Sequence, residues 1–175
     1  MQLHALVIGA SALSLVAGAA FAQASANVNV PARVLINPQL SASAGGTQLD
    51  FGTITRATGG AGTVRVTTAG ARSLVSASGL ATAGGSPAAA AVTVAGPANQ
   101  NITVSATDVV LATGMTVHPV FGGGANSGGA TSGAATLDGD GVLALPLGGD
   151  LVIDTGASNP TGQQSANMTV TVAYP

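Results

Sequence analysis

The sequence predicts an all-β fold, an antiparallel β-sandwich, and three observations support this prediction. Apolar and polar residues alternate over many short segments, which is the pattern of a strand with one buried face. Clusters of glycine separate these segments, and such clusters are typical of turns and loops. No segment shows a convincing helical period. Short strands separated by glycine-rich turns are typical of two packed sheets.

The composition suits a single domain and excludes several kinds of function. The 175 residues are enough to bury a sizeable core. The 4 basic residues are all Arg, the 6 acidic residues are all Asp, and a net charge of −2 gives no attraction for nucleic acid. A surface with so few charges has little repulsion between copies, which favours self-association. Cysteine is absent, so neither a disulfide nor a thiolate site is expected.

Residues 1–22 are predicted to be a secretory signal peptide. A mostly apolar run at residues 5–19 leads into the sequence AFA at residues 20–22, which is the small-x-small pattern of a cleavage site. We place the cleavage after Ala22, with Ala24 as the second choice. An uncleaved membrane anchor is the alternative, because the segment before the apolar run contains no Lys or Arg. Export is therefore expected.

The mature chain is predicted to begin with an amphipathic strand at residues 27–36. In an extended chain the apolar residues at alternate positions share one face, and these include Val28, Val30, Val34 and Ile36. This face has to be buried, either in its own sheet or in that of a neighbour. We therefore divide the chain into a signal peptide at residues 1–22, an N-terminal extension that is the candidate donor strand at 23–36, and a sandwich domain at 37–175.

Nine further strands are predicted from alternation, at residues 48–54, 63–68, 73–78, 90–94, 102–106, 115–121, 142–147, 150–154 and 168–174. The alanines at residues 88–91 follow a proline and lead into one of these strands, so we assign them to it. Glycine pairs and clusters predict turns at residues 59–62 and 148–149 and a long loop at residues 122–133.

The residues that could perform chemistry do not form a recognisable site. His118 is the only histidine after the signal peptide and lies in an apolar strand pattern, where such a residue is usually structural or exposed. Asp138 and Asp140 could offer oxygen ligands to calcium, but Asp-Gly pairs are first of all turn formers. The arginines are scattered and are predicted to be surface charges, with room for one to pair with an aspartate. We expect no enzyme activity, no cofactor and no metal.

Several segments of the chain resemble a known family. The motif LDFGTI at residues 49–54, with Leu49, Phe51, Gly52 and Ile54, is followed by a glycine-rich turn and by TVRV at residues 63–66. Further segments are VTVAG at 92–96, LGGDL at 147–151 and TVTVAY at 169–174. Together they resemble a bacterial exported family known as domain of unknown function 4402. The resemblance covers nearly all of the mature chain, and LDFGTI and the terminal strand are its more specific parts.

The chain is also similar to spore coat U-like and chaperone-usher pilin subunits. Gly162 is fourteenth from the C-terminus and Tyr174 is next to last, as pilins tend to have them in the strand that a periplasmic chaperone caps. The resemblance implies an immunoglobulin-like sandwich that lacks its last strand and whose groove is filled by a neighbour's N-terminal segment. The implied donor residues are Val28, Val30, Val34 and Ile36, and the implied residues of the C-terminal, chaperone-binding strand are Gly162, Met168, Val170, Val172 and Tyr174.

Two functions remain open at this point. The first is a non-enzymatic fimbrial or pilus-like subunit that passes through the periplasm to the cell surface. Its partners would be copies of itself or related subunits, a periplasmic chaperone and an outer-membrane usher, and it would assemble by donor-strand addition. Pro31 restricts this mode because it cannot donate a ladder hydrogen bond. The second is a self-complete, monomeric secreted sandwich that binds a carbohydrate or a protein partner through its glycine-rich loops.

Overall fold

The computed structural model describes residues 31, 33–34, 38–122, 132–158, 160 and 162–175. Backbone contacts divide the chain into two units, Met1–Leu35 and Ile36–Pro175. In the first unit only Pro31, Arg33 and Val34 are described, and they are exposed and not part of a strand. The predicted signal peptide and most of the predicted strand at residues 27–36 therefore lie outside the described residues.

The second unit is all-β, as the sequence predicts. Its described residues form ten strands and no helix, and all strand pairs are antiparallel. The strands are β1 (Ser41–Ala44), β2 (Ile54–Val66), β3 (Arg72–Thr82), β4 (Ala90–Ala95), β5 (Asn101–Ala106), β6 (Val109–Ala112), β7 (Met115–Phe121), β8 (Ser132–Thr136), β9 (Val142–Ile153) and β10 (Val170–Ala173). A search of the described residues for a helix long and apolar enough to cross a membrane finds none.

The strands form a sheet of seven strands and a sheet of three. The large sheet has the order β1-β4-β9-β2-β3, with β7 paired to β9 and β6 paired to β7, and the small sheet has the order β10-β5-β8. Strand β9 joins the two halves of the large sheet. Residues 142–147 of β9 pair with β4, residues 149–153 pair with β2, and residues 147–153 pair with β7.

Buried apolar residues form two clusters. The first cluster comes from β4, β7 and β9 of the large sheet and from β5, β8 and the residue after β8 on the other side; it comprises Val92, Val94, Ile102, Val104, Ala106, Phe121, Ala135, Leu137, Leu145 and Leu147. The second cluster comes from β2, β3, β6, β7 and β9 of the large sheet and from Phe51; it comprises Phe51, Val64, Val66, Leu80, Val109, Val117, Leu151 and Ile153. No polar or charged residue is fully buried in the described part of the chain.

Most predicted strands are confirmed. Strand β7 has the predicted bounds, and the predicted strands at residues 73–78, 90–94 and 102–106 coincide with β3, β4 and β5 or lie inside them. Strand β10 lies inside the predicted strand at residues 168–174. Alternating burial in β5 and β7 matches the alternation in their sequences, because successive side chains point to opposite faces.

The predicted turn at residues 148–149 is wrong, and the two strands on either side of it are one strand, β9. Gly148 and Gly149 are buried where neighbouring strands approach closely. A Cβ atom on Gly148 would overlap the carbonyl oxygen of Val66, and one on Gly149 would lie 3.0 Å from Leu49 Cδ2. The two glycines therefore allow close packing inside a strand and do not form a turn.

The predictions at residues 48–54 and 59–62 also need correction. Residues 48–53 of the first segment are not a strand apart from an isolated bridge between Asp50 and Ala88, and only its last residue, Ile54, belongs to a strand, as the start of β2. The segment breaks at Gly52, which has a φ of +67°. The second segment is not a turn between strands, because it lies inside β2, where the register with β3 shifts between Arg56 and Ala61.

Three short strands were not predicted. Strand β1 has the sequence SASA, which alternates but with small side chains that are all exposed, and β6 has the sequence VVLA, which does not alternate. Strand β8 begins at Ser132, so the predicted loop at residues 122–133 extends too far. Residues 123–131 of that loop lie outside the described residues.

Candidate functional site

A groove with a volume of about 1400 Å³ opens over the second cluster. Buried apolar side chains of β6, β7 and β9 line it, including Val109, Val117, Leu151 and Ile153. The rest of its lining includes two segments that are not strands, residues 45–53 and 162–168. The groove thus lies over an apolar part of the large sheet, and among the described residues no buried side chain of the small sheet belongs to the cluster beneath it.

Strand β10 lies beside this groove with one edge unpaired by any described strand. It pairs with β5 alone, and its first residue, Val170, lines the groove. The Thr107 N–H donates to the Thr169 oxygen at 3.1 Å. In an antiparallel ladder the direction of the backbone groups alternates, so Thr171 faces β5 and the N–H and C=O groups of Val170 and Val172 point away from it. These four groups form a short template for a further strand.

The side chains predicted for the C-terminal strand lie together on one face. Met168, Val170, Val172 and Tyr174 are half-buried and pack against the first cluster, and Met168 also contacts the second. The Tyr174 hydroxyl donates to the Pro38 oxygen at 2.6 Å, so the C-terminus is tied to the start of the described domain. Gly162 is exposed, with a φ of +82° and open space where a Cβ would be.

The predicted donor residues are only partly placed. Val28, Val30 and Ile36 lie outside the described residues. Val34 is described, and 81% of its surface is exposed. That exposure leaves its apolar side chain without a partner in the part of the chain that the structure describes.

The LDFGTI motif forms part of the lining of the groove. Phe51 is in the second cluster, and Leu49 and Ile54 pack against that cluster. The Gly52 N–H donates to Asp50 Oδ1 at 2.6 Å, which closes a tight turn within the motif. Gly52 has a positive φ, and a Cβ there would lie 2.9 Å from the Gly84 oxygen and would overlap the Arg72 guanidinium. Both constraints favour glycine.

Arg72 holds this segment through backbone oxygens. Its Nη1 donates to the carbonyl oxygens of Phe51 at 2.8 Å, Gly84 at 2.9 Å and Thr53 at 3.3 Å. The sequence prediction of a plain surface charge is wrong for this residue. Nothing in the sequence signals the contact, because Arg72 and Phe51 are 21 positions apart and join through the backbone of a turn.

The comparisons with known proteins agree with this motif. The family model described as "Domain of unknown function (DUF4402)" matches residues 40–174. The chain belongs to this family. The matched region contains all ten strands of the DUF4402 domain and the groove, and it begins after the predicted N-terminal extension at residues 23–36. A search of curated proteins finds no match to the chain.

The other arginines of the DUF4402 domain have different roles. Arg56 donates to the carbonyl oxygens of Gly60 at 2.6 Å and Ala157 at 2.9 Å, and also to those of Asp154, Thr155 and Ser158, so it fixes the turn after β9. The prediction of a plain surface charge is wrong here too. Arg65 forms a bidentate salt bridge with Asp150, in which Nε donates to Oδ1 at 2.7 Å and Nη2 donates to Oδ2 at 2.6 Å. This confirms the prediction that one arginine pairs with an aspartate. The hydrogen bond to Asp150, and then the charge of that carboxylate, raise the pKa of Arg65.

The remaining candidate residues do not line the groove. His118 Nδ1 lies 2.8 Å from Asp108 Oδ2, and both side chains are about half exposed. Asp138 Oδ1 accepts the backbone N–H groups of Val142 at 2.7 Å and Asp140 at 3.0 Å, which is the role of a turn former. No group of three or more His, Cys, Asp or Glu side chains that could hold a metal is found among the described residues.

Proposed function

We propose that this protein is an exported, non-enzymatic structural subunit of a fimbrial or pilus-like surface fibre. Its N-terminal extension, with Val28, Val30, Val34 and Ile36, would lie in the groove of the next copy and add a strand along β10. The observation that supports this most is a groove of about 1400 Å³, with buried apolar side chains of β6, β7 and β9 in its lining, beside an edge strand whose outer backbone groups have no partner among the described strands.

Strand addition would remove two costs at once. An unpaired strand edge and an apolar surface are both unfavourable in water and promote aggregation. An incoming strand would pair with the outward-facing groups of Val170 and Val172 and would cover the second cluster. Each aliphatic side chain buried contributes about 1.5–3 kcal/mol, from which the cost of ordering the extension has to be subtracted.

Pro31 then determines which residues of the extension pair with β10. Within a strand, the backbone groups of successive residues point to opposite edges. Because Pro31 has no N–H, the odd-numbered residues of the extension should point away from β10 and the even-numbered ones towards it. The side chains of Val28, Val30 and Val34, being at even positions, would then all face the apolar lining of the groove.

The same geometry explains the expected partners. Before assembly, the edge of β10 and the groove need a temporary cover, which is the role of a periplasmic chaperone. Transfer to a growing fibre then requires an outer-membrane usher. Neither a nucleic acid nor a cofactor enters this mechanism.

The test is the assembly state of the mature chain, produced by export and measured by size-exclusion chromatography with light scattering. The wild-type chain should form multimers, and the double variant Val30→Asp, Val34→Asp should stay smaller, because burying a carboxylate against the apolar side chains of β6, β7 and β9 is unfavourable. Val110→Asp is a matched control, since Val110 is 64% exposed and does not line the groove. Multimers that form equally well from the double variant would rule out strand addition through this segment.

A further inference from the structure

Residues 165–169, which precede β10, have the backbone of a strand but belong to none. They contain no turn, bend or bridge, and none of them has a positive φ. Met168 is half-buried between two exposed neighbours, and the same alternation of exposure continues through β10. Alternation with a period of two indicates an extended chain with one face on a core. The segment therefore continues β10 backwards in a strand conformation.

The path of the neighbouring strand explains why this segment is not a strand. β5 pairs with β10 as far as Ala106, which lies opposite Val170. One more bond follows, from the Thr107 N–H to the Thr169 oxygen at 3.1 Å, and the chain then crosses to β6 of the large sheet. A strand exists only in a ladder with a neighbour. Residues 165–168 lie beyond the end of β5 and join no ladder.

The same segment lies along the groove. Residues 165–168 are part of its lining, together with the buried apolar side chains of β6, β7 and β9. Met168 packs against both apolar clusters, so it fixes the segment at the boundary between them. The backbone of the segment consequently borders the space that a strand added along β10 would enter.

The direction of the backbone groups in this segment follows from β10. Val170 and Val172 direct their N–H and C=O groups away from β5, because Thr171 lies between them and faces it. This direction alternates from residue to residue along an extended chain. Ala166 and Met168 therefore direct their backbone groups to the same outer edge as Val170 and Val172. The edge open to a further strand is then about twice as long as that of β10 alone.

We propose that residues 166–169 are the first part of an acceptor strand that forms only on assembly, when the N-terminal extension of a second copy pairs with them and lengthens β10. This inference rests on the proposed function. The outer edge from Ala166 to Val172 spans seven residues, the same number as from Val28 to Val34 in the extension. Because the segment is already extended, pairing costs it less conformational entropy than a flexible loop would lose.

Proline at alternate positions tests the proposal, because proline removes one N–H. The chain is the mature full-length Val30→Asp, Val34→Asp variant, and the probe is a synthetic peptide of residues 26–36. Ala166→Pro should raise the Kd of the peptide, measured by calorimetry, by about three- to tenfold, since an N–H of the outer edge is lost. Asn167→Pro is the matched control. Its N–H points to the opposite edge, so the Kd should change by less than about twofold.

Amide hydrogen exchange on the same chain provides the second measurement. Adding the peptide should slow exchange of the Met168 amide by at least about tenfold, together with that of Val170 and Val172. Slower exchange at Val170 and Val172 but not at Met168, or the same Kd for the two proline variants, overturns the longer acceptor strand and leaves the proposed function standing. A peptide that neither binds nor protects any of these amides contradicts the proposed function, and the acceptor strand with it.

Discussion

The two apolar clusters of this domain are built on the same large sheet but are covered in different ways. The first cluster has strands on both sides, because β5 and β8 of the small sheet pack against β4 and β9. In the part of the chain that the structure describes, the buried residues of the second cluster come from the large sheet and from Phe51, and partly buried residues outside the strands, such as Leu49, Ala157 and Met168, pack against it. The groove lies over this second cluster.

The difference shows which cluster the small sheet leaves without buried contacts among the described residues. Among the described residues, buried side chains of the three-stranded sheet belong to the first cluster and none belongs to the second. Over the second cluster, turns held by Arg72 and Arg56 take the place of strands. A further strand next to β10 would extend the small sheet over the second cluster. In the proposed function, the N-terminal extension of another copy supplies this strand.

The largest expected effect compares the two clusters directly. Phe121→Ala in the first cluster should cost about 3–5 kcal/mol of unfolding free energy, because the fully buried ring leaves a cavity between two sheets. Leu151→Ala in the second cluster should cost about 2–3 kcal/mol, at the low end for its type, because the site already adjoins the groove. Urea titration measures both. Equal losses of unfolding free energy at the two sites would contradict the view that the first cluster is more tightly enclosed than the second.

A smaller effect on stability is expected from Arg72, which holds the loop segment around Phe51 against the second cluster. Arg72→Gln should cost about 1–3 kcal/mol, because the oxygens of Phe51, Thr53 and Gly84 lose their donor. Arg65→Gln is the matched control, and it should cost at most about 1 kcal/mol because the Arg65 side chain is nearly half exposed to solvent. Thermal unfolding of both variants provides the comparison, and a larger loss for Arg65→Gln would reverse the assignment of the two roles.

Replacing Gly52 of the LDFGTI motif tests the same loop segment, and the expected loss of stability is smaller. Gly52→Ala should destabilise by about 1–2 kcal/mol, because alanine is strained at a φ of +67° and meets the Gly84 oxygen. Gly156→Ala is a suitable control, since nothing lies near its Cβ position and no positive φ is found there. Similar denaturation midpoints for the two variants would show that the turn at Gly52 tolerates a side chain.

The smallest effect on stability is expected at the open edge, where assembly is the sensitive readout. Val172→Pro removes an N–H that points away from β5, so the fold should persist while multimer formation falls. Thr171→Pro removes an N–H that bonds to β5 and should detach β10. If Val172→Pro assembles like the wild type, the outer edge of β10 is not the site of strand addition.

The sequence predicted the strands of this domain better than it predicted the turns and loop contacts that pack over the second cluster. Strand β7 was placed to the residue, because alternation reports directly on burial. Strand β9 was divided in two, since Gly148 and Gly149 read as a turn although close packing explains them. The turn at Gly52 and the contacts of Arg72 could not be predicted, because they join segments that are distant in the chain through backbone oxygens.

The most direct test of the account is amide hydrogen exchange at β10, measured by NMR on the monomeric Val30→Asp, Val34→Asp variant with and without a synthetic peptide of residues 26–36. Alone, the Thr171 amide should be protected by β5, and the Val170 and Val172 amides should exchange quickly. With the peptide, Val170 and Val172 should become protected as well. Unchanged exchange on adding peptide, or full protection of these amides in the isolated monomer, would contradict an open groove that waits for a second copy.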